Sequence, residues 1–139
     1  MKVQELRIGN LLKDIDGNIV EVITVYGNGN YVVHSSIHQF AIIEKDDDLI
    51  IPIPITEEWL LRFGFVSNPY QDRYENQSIH IQCNKTRGVT ELWIENMPHI
   101  KYVHQIQNLY FALTGEELIH DEWIVTKDNH PSIVDILKD

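Results

Sequence analysis

The chain has one cysteine, Cys83, among 139 residues, and so has no partner for an internal disulfide. That usage suits a reducing compartment. No apolar run approaches the roughly 20 residues that would span a bilayer, and the opening MKVQELRIGN lacks a hydrophobic signal core. The expectation is a cytoplasmic protein with no membrane contact. Basic residues are scarce: 11 Lys and Arg against 21 Asp and Glu leave a formal charge of −10. Such a surface repels phosphate, so direct binding of DNA or RNA is not expected. Missing too are a nucleophile elbow, a glycine-rich phosphate loop and a dinucleotide fingerprint. No motif supports catalysis, and no cofactor is expected.

What is present is a composition, 43% apolar and 23% charged, that suits a folded domain long enough to bury a core without staples. The first 55 residues read as β-structure. Leu6, Ile8 and Leu11 lead into Asp16-Gly17, a hairpin dipeptide whose two central positions would both take positive φ. Strands are expected at Ile19 to Val25, Tyr31 to His34, Gln39 to Ile43 and Leu49 to Ile53. Gly27 to Asn30 marks one turn, and Asp46-Asp47-Asp48 lies in the last. Short strands at this spacing predict a small antiparallel, SH3-like barrel.

Pro52 and Pro54 close that unit, and a short helix follows. Thr56 is its N-cap, Glu57 and Glu58 sit in the first turn, and Gly64 stands at its end. Strands at Arg73 to Glu75, Ser78 to Cys83 and Val89 to Glu95 then predict a three-stranded meander, which needs cover on one face. A helix from about His99 to Thr114, closed by Gly115, supplies it. The tail holds a strand around Trp123 to Val125 and a short helix begun at Pro131 or Ser132. The division is therefore a β-barrel-like subdomain over 1–55, helix, meander and covering helix over 56–118, and a tail over 119–139, all in one α+β body.

In the covering helix, at about 100° per residue, Tyr102, Val103, Ile106, Leu109, Tyr110 and Leu113 fall within roughly 120° and form a core stripe. His104, Gln105, Gln107 and Asn108 fall outside it, as on a solvated face. Phe111 breaks the pattern, lying beside Gln107 and His104. An aromatic there meets either its own chain, such as the tail, or another molecule. The candidate partner surface is accordingly His104, Gln107, Asn108 and Phe111, with Asp46, Asp47 and Asp48 as a second.

The seven histidines show no metal-ligand spacing: His34 and His38 are four apart in strand and turn, and His99 and His104 point to different sides. Alternation places Cys83 on the strand face opposite His80, so the two are not a nucleophile pair.

The segments IPIPITEEWLLRFGF and IKYVHQIQNLYFALTGEEL, with LRIGNLL before the first turn, resemble a family of small uncharacterised proteins from Bacteroides-group bacteria and their phages and prophages. The resemblance runs to Leu118 and carries no activity or functional residue. It implies a mobile-element setting and, as function, a non-enzymatic accessory protein that binds another protein or a second copy of itself. Its rivals are an acidic nucleic-acid mimic that blocks a host or defence protein, a virion or assembly component, and an enzyme of unrecognised type. The enzyme would need a concave pocket that gathers two or more of His80, His104, His120 and the nearby carboxylates.

Overall fold

A computed structural model describes residues 3–35, 39–76 and 78–118. The tail expectations at Trp123 to Val125 and Pro131, with His38 and His120, lie outside the described residues.

The fold is α+β, built on two antiparallel sheets. After a 3-10 turn at Val3–Glu5, five strands follow: β1 (Leu11–Asp14), β2 (Ile19–Val25), β3 (Tyr31–Ser35), β4 (Gln39–Ile43) and β5 (Ile50–Ile51). Their spatial order is β4-β3-β2-β1-β5. Period-2 alternation turns Leu12, Val20, Val22, Tyr31, Val33, Ile43 and Ile50 inward, where they pack with Leu6. Between β2 and β3 the register slips from Val22↔Val33 to Thr24↔Val32. An extra residue there bends and twists the strand, and the sheet curls into a half-barrel.

The β1–β2 turn departs from the expected geometry. Gly17 takes φ +89° but Asp16 does not take a positive φ. The turn is shaped instead by the buried Asp14 carboxylate, which accepts from the backbone N–H groups of Asp16 and Asn18, each at 2.9 Å, and from Asn18 Nδ2 at 3.0 Å. An Asp in front of a turn competes with the dipeptide inside it.

α1 (Glu57–Arg62) begins as anticipated: Thr56 Oγ1 accepts from the Trp59 N–H at 3.3 Å. Its Trp59 and Leu60 are buried, and the Arg62 guanidinium, paired with Glu58, lies 5.5 Å from the Trp59 ring centroid. Among the described residues the second sheet has four strands rather than three: β6 (Val66–Asn68), β7 (Arg73–Glu75), β8 (His80–Thr86) and β9 (Val89–Trp93), in that order. β6 is three residues long, too short to show a period, and is held by pairing Ser67 with Tyr74. β8 begins two residues later than expected and runs on to Thr86, while β9 stops at Trp93, two residues short of Glu95. Only Arg87 and Gly88 separate them, both at positive φ.

α2 (Val103–Thr114) starts later than His99 because the residues before it are committed to an extended pairing. Pro54 bridges Tyr102, the Ile55 N–H donates to the Lys101 carbonyl at 3.0 Å, and the Val103 N–H donates to Ile53 at 2.8 Å. Gln105 Oε1 then caps the helix, accepting from the N–H groups of Lys101 and Tyr102. At the other end Gly115 takes the left-handed conformation, φ +74°, at no steric cost, and its N–H closes on Phe111.

The main core lies between α1, α2, the second sheet and β1. It joins Leu11, Trp59, Leu60, Phe63, Tyr74, Ile81, Val103 and Ile106, among others. α2 enters it obliquely. Val103 and Ile106 are buried, Leu109 and Tyr110 half-buried, and Leu113, expected in the core, is 58% exposed. Among the described residues no helix is long and apolar enough to cross a membrane.

Candidate partner surface

The polar side of α2 is not a wet face. His104 is 1% exposed and Gln107 3%, both closed over by the chain's own segment from Glu5 to Leu11. This corrects the reading of these residues as an outward surface. The physical reason is that the covering element is backbone, whose polar groups are matched by carboxamides rather than by an apolar stripe. Gln107 Oε1 accepts from the Leu11 N–H at 2.8 Å, and its Nε2 donates to the Gly9 carbonyl at 3.1 Å. Asn108 Nδ2 donates to the Glu5 carbonyl at 2.6 Å, while its Oδ1 accepts from Asn10 Nδ2 at 2.8 Å and Arg7 Nε at 3.2 Å.

Phe111, the residue that breaks the stripe, meets the same segment. The Arg7 guanidinium lies 4.2 Å from its ring centroid and is fixed by Glu117 and by the Gln107 carbonyl at 3.4 Å. Phe111 remains 38% exposed. His104 Nε2 lies 3.3 Å from Glu5 Oε2, and its Nδ1 is buried without a hydrogen-bond partner. Burial holds the imidazole below its usual pKa, against the opposing pull of Glu5. The four residues thus act together as a clasp on the N-terminal segment. Arg7, Asn10 and Glu5, its other half, were missed by pattern reading because no periodicity singles them out.

The acidic triplet does lie between β4 and β5, with Asp46 and Asp48 exposed and Asp47 partly so. Asp47 Oδ1 accepts from the Leu49 N–H at 2.9 Å, and Asp47 N donates to Glu44 at 3.0 Å, which orders the loop. Beside it, β4 has a hydrogen-bonded neighbour on one side only among the described residues. Its outer face presents Phe40, 48% exposed, and Ile42, 70% exposed. Phe40 rests on His34 at 4.8 Å between ring centroids.

Glu57, read only as a helix-start acid, ties α1 to the second sheet. Tyr74 Oη donates to it, as do Thr90 Oγ1 at 2.9 Å and Lys85 Nζ at 3.0 Å. These bonds, Tyr74's first, hold its carboxyl below the usual range. Burial raises Tyr74 itself to about 12. Cys83, half-buried on the core-facing side of β8 with its thiol pushed up by burial, is not primed as a nucleophile. His80 stands across from Glu75, on the opposite face. A groove of about 300 Å³ lies near this cluster, lined by residues that include Asp72, Arg73, Asn84 and Lys85; its lining holds neither His80 nor His104. Among the described residues no three His, Cys, Asp or Glu side chains gather at metal-binding distance.

No family model, curated protein or solved structure matches the chain.

Proposed function

We propose that this is a non-enzymatic binding protein of phage or prophage origin, acting in the cytoplasm of its bacterial host, that docks on another protein through β4 and the acidic loop after it. In this reading the curled sheet is an SH3-like unit left open at β4, and the partner contributes an extended segment with apolar side chains and a basic flank. The observation that carries it is the pairing of Phe40 and Ile42, exposed on an edge strand, with Asp46 and Asp48 a few residues on. An edge strand is a template for strand addition, and such edges are ordinarily guarded by charge, Pro or a bulge. β4, QFAII, has no charged residue or Pro. The neighbouring carboxylates would select a basic partner and speed its approach.

The inward turn of His104 and Gln107 supports this choice, since it leaves β4 and its loop as the stronger of the two surfaces. Affinity purification from the native host, with and without phage infection, tests it when wild type is run beside Phe40→Ala/Ile42→Lys and Asp46→Asn/Asp47→Asn/Asp48→Asn. A partner captured by wild type and lost with the first variant is the expected result. Equal capture by all three would sink the proposal. Self-association of the purified chain, abolished by Ile42→Lys, would make the partner a second copy.

A further inference from the structure

The backbone of β4 turns a fixed set of groups to its open side. In antiparallel strands, successive residues alternate between bonding to the neighbour on one side and facing the other way. The Tyr26 N–H donates to the Asn30 carbonyl at 2.8 Å, so Asn30 bonds toward β2 and, by alternation along β3, Tyr31, Val33 and Ser35 bond toward β4. Their register partners Ile43, Ala41 and Gln39 are therefore the β4 residues tied to β3. Phe40 and Ile42 are left with N–H and C=O pointing away from the sheet. The two residues that offer backbone bonds at this edge are also the two whose side chains stand exposed, at 48% and 70%.

These groups are symmetric about Ala41, and the symmetry names an occupant. Turned by a two-fold axis through Ala41, a second β4 runs antiparallel to the first and sets its Ile42 opposite Phe40 and its Phe40 opposite Ile42. Each such pair exchanges both of its backbone bonds, so the edge groups of both copies are matched. The side chains match as well, because an aromatic then faces a β-branched residue across the seam, a favoured cross-strand pair. On the same face Val32 stands beside Ile42 and His34 beside Phe40, which extends the strip on both sides of the axis. Charge favours this seam over the rest of the surface. A chain of charge −10 repels its own copy, but QFAII is uncharged, and the two-fold axis sends the acidic loops after each β4 to opposite ends of the seam. The strand is five residues long, so the contact falls among small interfaces that form and part readily.

We propose that β4 of the free protein is capped by β4 of a second copy, antiparallel about a two-fold axis at Ala41. A partner protein then gains the edge only by displacing that copy. The inference deepens the docking reading and rests on its open β4 edge. Sedimentation equilibrium of the full purified chain at low and high salt, with hydrogen exchange followed by NMR, tests it. A reversible dimer should form as concentration rises. Salt should tighten it, because two acidic copies are screened from each other, whereas salt weakens capture of a basic partner. Ile42→Lys should raise the dissociation constant about tenfold or more, since it brings a lysine of each copy close to the axis, and its exposed position spares the fold. Asp46→Asn/Asp48→Asn should keep the dimer while reducing capture of a basic partner, which separates the two readings. The Phe40 and Ile42 amides should exchange more slowly as the dimer fills. A dimer with these properties and no host protein captured supports the inference and ends the docking reading. A chain that stays monomeric at every concentration overturns the inference and leaves the docking reading standing. A dimer indifferent to Ile42→Lys overturns it too, and so does protection of those two amides in the monomer, which would mean that the chain covers its own edge.

Discussion

Gln107 holds the backbone N–H of Leu11 at 2.8 Å with the oxygen of a side chain that is almost wholly buried. The two are 96 residues apart in the chain, and through them α2 fixes where β1 begins. A carboxamide that accepts from Leu11 and donates to Gly9 reproduces one rung of a β-ladder. Most of the polar character of α2 follows from that task.

Truncation of this side chain should therefore be costly. Gln107→Ala leaves the Leu11 N–H and the Gly9 carbonyl without partners in a dry place, where each orphaned group costs roughly 1–3 kcal/mol. A loss of about 2–4 kcal/mol is expected from urea denaturation, with a clear drop in Tm. A change within 0.5 kcal/mol, roughly that of an ordinary surface substitution, would show that the clasp does not form.

His104 predicts the direction of a pH effect. Its folded-state pKa is lowered, chiefly by burial, and Glu5 is the charged side chain beside it. The unfolded chain takes up the proton near its usual value of about 6.5, before the folded protein does. Stability from this group is thus complete above about pH 6.5 and is lost as pH falls toward the lower folded value. Unfolding free energy measured across this window should slope downward for wild type and flatten in His104→Gln. An unaltered slope in the variant would assign the acid sensitivity elsewhere.

Two tyrosines should ionise late. Burial raises Tyr31 to about 12, helped by Asp47, and Tyr74 to about 12, helped by Glu57. Each proton is kept by the folded chain after the unfolded chain, near about 10, has lost it, so these groups favour unfolding as pH rises above that value. Alkaline spectrophotometric titration should show the late tyrosinate signal reduced in Tyr31→Phe and again in Tyr74→Phe. A single transition near 10 for all six tyrosines contradicts the burial described here.

The contact of Arg7 with Phe111 is half-exposed and should be modest. A double-mutant cycle with Arg7→Ala and Phe111→Ala should give a coupling of about 0.5–1 kcal/mol, typical of a cation over a solvated ring. Zero coupling would free Phe111 for an external partner.

Much of this fold is legible in the sequence. The strand Ile19 to Val25, the Thr56 cap and the Gly115 stop rest on local chemistry, and each stands where pattern and capping place it. The three-residue β6 is too short to carry a period. Angular periodicity extends the core stripe of α2 to Leu113, which is exposed, because it cannot register a helix rising out of its core. The clasp was hidden for another reason. Period analysis sorts residues into apolar and wet, and it has no class for carboxamides buried against backbone some hundred residues away. The acidic triplet was legible as a loop. The neighbouring exposure of Phe40 and Ile42 was not, since Gln39 to Ile43 reads as any half-buried strand.

The inward orientation of the α2 polar face is the claim on which the choice of β4 rests, and the Leu11 amide reports it. The β1–β2 register leaves that N–H to Gln107 Oε1. Native-state hydrogen exchange followed by NMR should find the Leu11 amide strongly protected in wild type and sharply accelerated in Gln107→Ala, while the Val22 amide, bonded to the Asn10 carbonyl, slows exchange in both. A Leu11 amide that exchanges in wild type at the rate of an unstructured peptide would contradict the account and return His104, Gln107 and Asn108 to the solvent.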